Sequence, residues 1–209
     1  MSAEVELLEA LRYEPQAGYY LRERHVARLL RSARALGYTA DRARVDARLD
    51  EHAATVREPA KVRLRLARSG DVFVSDEPLG ETPPVVLGIA ATRVDPADAR
   101  LHHKTTDRTP YRDALASVPG VDDVLLVNTR GELTESTRAN VAVCREGRWL
   151  TPPLQSGLLP GTFRAELLEA GQLEEAVLRP EDLSGAEVKL LNSVRRWIAV
   201  AELRRQTRP

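Results

Sequence analysis

Short runs of strand-forming residues recur along the whole chain, and only a few segments between them have helical spacing. The clearest run is KVRLRLARSGDVFVSD, in which apolar and polar residues alternate on both sides of Ser69 and Gly70, as in a β-hairpin. Further strands are predicted at residues 5–13, 19–21, 85–94, 124–128, 140–144, 148–151, 188–191 and 197–204. The first two, joined by a turn at residues 15–18, predict a second hairpin, although the leucines of residues 5–13 also suit a helix. Such a chain must bury its apolar residues between mixed sheets and a few helices, which predicts an α+β or α/β fold.

Helical spacing is clearest in residues 25–36, where Gly37 follows at the position at which a glycine commonly ends a helix. The other predicted helices cover residues 41–56, 112–117 and 163–170. Pro and Gly are concentrated in EPLGETPPVVLG, between two different patterns. We therefore predict a small N-terminal domain over residues 1–82 and a larger C-terminal domain over residues 83–209.

Charge and cysteine content exclude several classes of protein. Thirty-one basic residues balance 31 acidic ones, so no net field draws the chain to nucleic acid or to an anionic membrane. The one cysteine, Cys144, rules out an intrachain disulfide and a multi-cysteine metal cluster, and the four histidines are scattered. No apolar run approaches the ~18 residues of a membrane span, and the first residues lack the blocks of a signal peptide. We expect a cytoplasmic protein without a metal site.

Lys104 lies in LHHKTTDRTPYR, after a predicted strand and among histidines, threonines and an aspartate. A lysine whose charge is lowered by desolvation or by neighbouring cations becomes a nucleophile for carbonyl compounds. A solvated loop lysine is the commoner interpretation of such residues. The pattern alone leaves both interpretations open.

Two further segments carry groups that could take part in chemistry. Glu135 falls between two strand-like runs, where a carboxylate could reach into a cleft or merely lie on a turn. Pro160, Gly161 and Thr162 precede a predicted helix, whose first backbone amides could hold a phosphate. Threonine is also a common N-cap in helices that bind nothing. These alternatives also stay open when the residues are considered alone.

Five segments, in this order, resemble the class IV aminotransferases, the fold-type IV pyridoxal-phosphate enzymes. They are residues 7–38, HHKTTDRTPY, GELTESTRANVAV, TPPLQSGLLPGTFRAELLEAG and VKLLNSVRRW, and they cover nearly the whole chain. Within the family they are most similar to the aminodeoxychorismate lyase branch. The resemblance implies a two-domain fold like that of D-amino-acid aminotransferase, with a small α/β domain and a larger mixed-sheet domain. It also implies a homodimer with pyridoxal 5′-phosphate as cofactor.

The resemblance assigns roles to individual residues. Lys104 matches the lysine that binds the cofactor as a Schiff base and moves protons. Glu135 matches the acid that pairs with the pyridine nitrogen, and Arg28 matches the arginine that pairs with the phosphate. The spacing of the first helix, by contrast, places Arg28 opposite the apolar stripe and favours a solvated side chain. The remaining phosphate ligands implied are the main-chain amides of Thr162 and Phe163 and the hydroxyl of Ser193.

Arg108, Tyr111 and Asn140 match recurrent positions of the lyase branch, either at the substrate or behind the residues that bind the cofactor. Ala10 departs from that branch, because lyases have a threonine there that assists the proton transfer releasing pyruvate. The chain also starts almost at the first shared motif, where family members usually have a further strand and a glycine-rich turn. We therefore expect a shortened small domain. Whether another polypeptide completes the site is left open by the sequence.

Three functions follow from these observations. The first is a lyase of folate biosynthesis that converts 4-amino-4-deoxychorismate into 4-aminobenzoate and pyruvate. The second is a class IV transaminase for branched-chain or D-amino acids, which the alanine at position 10 favours. The third is a catalytically idle protein that keeps the pyridoxal-phosphate fold for interaction.

Overall fold

The computed structural model describes residues 4–204 and divides the chain into two units. The first unit contains residues 4–81 together with His103–Asp107, and the second contains Thr82–His102 and residues 108–204. The observed division after Glu81 is one residue from the predicted one after residue 82. The prediction, however, assigned residues 103–107 to the second domain. They join the first unit because their backbone pairs with its first strand.

The first unit is a four-stranded antiparallel sheet with two helices. Its strands lie in the order β2-β1-β3-β4. Their bounds are β1 Leu7–Glu14, β2 Gly18–Tyr19, β3 Ala60–Leu66 and β4 Val72–Pro78, and the helices are α1 Arg22–Leu36 and α2 Arg42–Ala53. Both predicted hairpins are confirmed, and α1 begins three residues before its predicted start and ends before Gly37 in the left-handed conformation, φ 70°.

Strict alternation of buried residues along β1 and β3 builds the core of the first unit. Leu7 and Leu11 of β1 lie on the same sheet face as Leu64 and Leu66 of β3, and this face packs against apolar residues of both helices. One inward-facing position of β1 is not apolar, because Glu9 is buried there between Leu7 and Leu11.

The second unit is a mixed eight-stranded sheet with short helices. Its strands are β5 Val85–Val94, β6 Asp123–Asn128, β7 Leu133–Ser136, β8 Asn140–Arg145, β9 Arg148–Thr151, β10 Glu174–Glu175, β11 Glu187–Asn192 and β12 Arg196–Arg204. The order is β10-β9-β8-β11-β12-β5-β6-β7, and an additional pairing of β7 with β8 closes six of the strands into a ring. The α-helices are α3 Ala99–His102, α4 Thr109–Ala116 and α5 Thr162–Glu169, with 3₁₀ turns at Leu154–Ser156 and Pro180–Leu183. Parallel and antiparallel pairs both occur, which confirms the predicted mixed α/β fold.

The sequence interpretation missed β7, β10 and α3. The four residues of β7 include three polar ones, all buried, so neither apolar alternation nor an apolar run marks the strand. Glu135 therefore lies within a strand and not on a turn. In residues 4–204, none of the helices combines the length and apolar character needed to cross a membrane.

Candidate active site

Glu135 is the centre of a buried polar cluster in the second unit. Its carboxylate, 4% exposed, accepts hydrogen bonds at Oε1 from the Tyr111 hydroxyl, 2.7 Å, and the Leu159 backbone N–H, 3.1 Å. Asn140 Nδ2 donates to Oε2 over 3.1 Å. Three donors converging on a buried carboxylate favour its charged form and fix its orientation. The strand thus presents an oriented negative charge, the group required to pair with a protonated pyridine nitrogen.

The turn between β7 and β8 explains how Glu135 and Asn140 come to face each other. The two residues are register partners, and Ser136 Oγ accepts from Ala139 N–H over 3.1 Å inside the turn. Thr137 is tied to the buried Asp123 carboxylate by its backbone N–H, 3.0 Å, and its hydroxyl, 2.6 Å. The polar residues of the ESTRAN segment are therefore required by the turn that positions the carboxylate.

Arg108 and Tyr111 form a stacked pair at the start of α4. The Arg108 guanidinium carbon lies 3.8 Å from the centre of the Tyr111 ring, and its Nη2 donates to the Thr137 carbonyl. Burial raises the pKa of Tyr111 well above its usual value, and the negative charge of Glu135 raises it further. The phenol therefore stays protonated and donates to Glu135.

Asn140 also contacts the segment before α5. Its Nδ2 donates to the Leu159 carbonyl over 3.0 Å, and a methyl group on Gly161 would overlap Asn140 Oδ1. Gly161 has a φ of −62°, which any residue can adopt. The glycine is therefore required by the close approach of Asn140 and not by the backbone conformation. The helix begins at Thr162, followed by Phe163, and both are buried. First-turn amides point out of a helix start, the arrangement that favours an anion.

Ser193, the remaining predicted phosphate ligand, is buried in the turn that joins β11 to β12. Asn192 Oδ1 shapes this turn by accepting from the backbone N–H groups of Val194, 3.1 Å, and Arg195, 2.8 Å. The preceding strand, β11, packs against α5. A local cap therefore holds the serine on a fixed backbone.

In the first unit, the backbone of Lys104 is held by the start of β1. Leu8 N–H donates to the Lys104 carbonyl over 2.8 Å, and Thr106 N–H donates to the Glu6 carbonyl over 2.9 Å. Leu7 and Thr105 form an antiparallel bridge. Lys104 itself is half-buried, so a freely solvated loop lysine does not describe it.

Arg28 is buried, 5% exposed, so the solvated position favoured by helical spacing is wrong. The reason is Glu9, which accepts from Arg28 Nε over 2.8 Å and from Nη2 over 2.5 Å. His25 Nδ1 lies 2.7 Å from the same carboxylate. Glu9 and His25 were not among the predicted site residues. A charged residue at an inward position of the alternating strand β1 was the signal that could have identified Glu9.

The described residues suit pyridoxal phosphate by their chemistry. The second unit provides a buried carboxylate for a pyridine nitrogen, and helix-start amides and a buried hydroxyl for a phosphate. The first unit provides a lysine with a fixed backbone, for an aldehyde, and a buried arginine. Residues 4–204 contain no group of three or more His, Cys, Asp or Glu side chains that could hold a metal ion.

Comparison with known proteins agrees with this assignment. The family model described as amino-transferase class IV matches residues 6–203. A Schizosaccharomyces pombe protein provisionally named aminodeoxychorismate lyase is 35% identical over 208 residues, which span 92% of this chain and 87% of that protein. A solved Mesorhizobium loti structure, provisionally described as an amino-acid aminotransferase, is 37% identical with a TM-score of 0.89, covering 96% of this chain and 100% of that one.

A third relative shares the fold at lower identity. The crystal structure of 4-amino-4-deoxychorismate lyase from Pseudomonas aeruginosa has a TM-score of 0.80 at 23% identity, and the match covers 100% of this chain and 89% of that one. The family match spans nearly all of the described residues, including the segments that carry Lys104 and Glu135. The chain therefore belongs to the class IV aminotransferases, a family of pyridoxal-phosphate-dependent enzymes.

Proposed function

We propose that this enzyme is a lyase of folate biosynthesis that converts 4-amino-4-deoxychorismate into 4-aminobenzoate and pyruvate. The observation that carries the proposal is the 35% identity, over 92% of the chain, to the Schizosaccharomyces pombe relative provisionally named aminodeoxychorismate lyase. The HKTTDRTPY and LLPGTFRAELL segments, which resemble the lyase branch, support it.

The proposed roles follow the resemblance, residue by residue. Pyridoxal phosphate, when bound, supplies an electron-withdrawing ring that stabilises negative charge on the carbon bearing the substrate amine. Glu135 would keep the pyridine nitrogen protonated, and its three donors maintain its own charge. Arg28, the amides of Thr162 and Phe163, and the Ser193 hydroxyl would hold the phosphate.

Lys104 would hold the cofactor through its side-chain amine and, with the substrate bound, would act as the base. It would remove the proton from the amine-bearing ring carbon. The electron pair left behind forms the last double bond of the aromatic ring as the bond to the enolpyruvyl oxygen breaks. The departing enolpyruvate takes up a proton and becomes pyruvate, and aromatisation drives the reaction forward.

A class IV transaminase is the second candidate, and two observations favour it. Ala10 offers no hydroxyl at the position where lyases have a threonine, and it lies half-buried on the face of β1 opposite Glu9. The Mesorhizobium loti relative at 37% identity is provisionally described as an amino-acid aminotransferase. In this reaction Lys104 would move a proton from the substrate α-carbon to the cofactor.

Product analysis separates these candidates. Enzyme loaded with pyridoxal phosphate is incubated with 4-amino-4-deoxychorismate and no keto acid. The lyase proposal requires equal amounts of 4-aminobenzoate and pyruvate. Absence of both products, together with amino transfer from an amino acid to 2-oxoglutarate, would contradict the lyase proposal and support the transaminase.

Lys104→Ala should abolish turnover. It should also abolish the visible absorbance of lysine-bound cofactor, which the wild-type protein should retain after desalting. Lys61→Ala is the matched control, because Lys61 forms an ion pair with Glu77 over 2.6 Å and has no proposed catalytic role. A wild-type protein that retains cofactor but turns over neither substrate class would favour the idle interaction protein.

We also propose that the enzyme is a cytoplasmic homodimer, as the family resemblance implies. Light scattering on active, cofactor-loaded protein should give twice the 23.2 kDa mass of one chain. A monomeric mass at full activity would contradict this part of the proposal.

A further inference from the structure

A buried ionic contact in the first unit involves Glu9, a residue to which the proposed reaction gives no role. Both carboxylate oxygens bind Arg28, through Nε at 2.8 Å and Nη2 at 2.5 Å. His25 Nδ1 lies 2.7 Å from Oε2, and all three side chains are buried. Glu9 therefore forms a bidentate ion pair with one edge of the Arg28 guanidinium plane.

The protonation states of the cluster follow from its surroundings. Burial alone would raise the pKa of Glu9, but the charge and hydrogen bonds of Arg28, with those of His25, lower it to about 2. Burial lowers the pKa of His25, against the opposing effect of Glu9, and the positive charges of Arg28 and Lys104 lower it further. A neutral His25 can donate Nδ1–H to the carboxylate. Glu9 and Arg28 then compensate each other's charge.

Compared with apolar residues packed in the same place, a buried ion pair of this kind adds little to stability, because desolvation of two charges offsets most of their attraction. Its physical consequence is geometric. A guanidinium is planar and rigid, so fixing Nε and Nη2 also fixes the direction of the third nitrogen, Nη1. We propose that Glu9 is a positioning residue that holds Arg28 in the orientation in which it binds the phosphate of the cofactor. This inference rests on the proposed role of Arg28.

Positioning and charge compensation predict opposite results when Glu9 loses its charge. If Glu9 mainly orients Arg28, Glu9→Gln weakens binding of a phosphate. If Glu9 mainly cancels the positive charge of Arg28, the same substitution strengthens it. Measuring the direction of the change decides between the two.

The experiment compares pyridoxal 5′-phosphate with pyridoxal, which lacks the phosphate, by equilibrium dialysis against the whole protein without turnover. Glu9→Gln should weaken pyridoxal phosphate binding by about tenfold, the loss expected for one charge-assisted hydrogen bond. Pyridoxal binding should stay unchanged. Glu9→Asp keeps the charge but withdraws both oxygens by one methylene group, so it should also weaken only the phosphate form.

The double variant Glu9→Gln with Arg28→Gln tests whether Glu9 acts through Arg28. The glutamine at position 9 should cause no further loss of pyridoxal phosphate affinity once Arg28 is replaced. Tighter binding in Glu9→Gln, an equal loss for both ligands, or wild-type affinity in Glu9→Asp would each overturn the positioning role.

Failure of the proposed function gives a different result. In that case the wild-type protein would not prefer pyridoxal phosphate to pyridoxal, or Arg28→Gln alone would leave that preference unchanged. Circular dichroism of each variant confirms folding. If Glu9→Gln does not fold, Glu9→Asp and His25→Gln decide the question, because His25→Gln leaves the Arg28 pair in place and should change the preference less than Glu9→Asp does.

Discussion

Asn140 donates a hydrogen bond to Glu135 from the directly opposed position on the neighbouring strand, Nδ2 to Oε2 at 3.1 Å. The same nitrogen donates to the Leu159 carbonyl over 3.0 Å, and Oδ1 lies against Gly161 at the start of α5. One amide side chain therefore contacts both the carboxylate proposed for the pyridine nitrogen and the segment that leads to the proposed phosphate amides.

Asn140→Asp should weaken pyridoxal phosphate binding by about tenfold or more. It replaces a donor with a second carboxylate beside Glu135, and like charges in a buried site favour protonation of one of them. Equilibrium dialysis at pH 8 and at pH 5 measures the loss, which should shrink at the lower pH.

Asn128→Asp is the matched control for Asn140→Asp. Asn128 is also buried and donates to a carboxylate, that of Glu132, over 2.8 Å, but it has no proposed contact with the cofactor. This control should lower the melting temperature and leave cofactor affinity unchanged. Equal affinity losses in both variants would contradict a specific role for Asn140.

Gly161→Ala should destabilise the protein by about 1–3 kcal/mol, the usual cost of forcing a methyl group into occupied space. The added carbon would overlap Asn140 Oδ1. Urea unfolding measures the loss. In the background Asn140→Ala the obstructing atom is gone, so the same substitution should cost much less. Additive costs would show that the overlap is not the cause.

Tyr111→Phe removes one of the three donors to Glu135 and should reduce cofactor affinity by roughly fivefold to 150-fold, from the ~1–3 kcal/mol cost of a missing partner for a buried polar group. Tyr13→Phe is the control, because the Tyr13 hydroxyl donates to a backbone carbonyl, that of Ala53, and has no proposed contact with the cofactor. Tyr13→Phe should leave cofactor affinity at the wild-type value, as measured by fluorescence titration.

The buried Glu9 and His25 should make the protein less stable in acid. The folded pKa of Glu9, about 2, lies below the ordinary value of 4.5, so its contribution is present above pH 4.5 and is lost as the pH falls toward 2. The folded pKa of His25 also lies below its ordinary value of 6.5, so the unfolded chain binds the proton first and stability begins to fall below pH 6.5.

Denaturant unfolding between pH 8 and pH 3 tests this dependence. Wild-type stability should decrease with falling pH, first near 6.5 and more steeply below 4.5. Glu9→Gln should be less stable at pH 7 and should lose less of its stability below pH 4.5. An unchanged pH dependence in this variant would contradict the charged state assigned to Glu9.

Most strands and helices, and the family, could be predicted from local patterns in the sequence. Alternation identified β3 and β4, and helical spacing with Gly37 identified the end of α1, because these signals depend on residues within a few positions of each other. The shared motifs predicted the class IV aminotransferase family, whose model matches residues 6–203.

Only the tertiary structure decided how these residues are held. Arg28 is buried because Glu9, 19 positions away, neutralises it, and Glu135 is bound by Tyr111 and Leu159, each 24 positions away. The backbone of Lys104 is fixed by pairing with Leu8 at the other end of the first unit's chain. Periodicity describes one segment at a time, whereas the free energy of a buried charge depends on partners that folding brings from elsewhere in the chain.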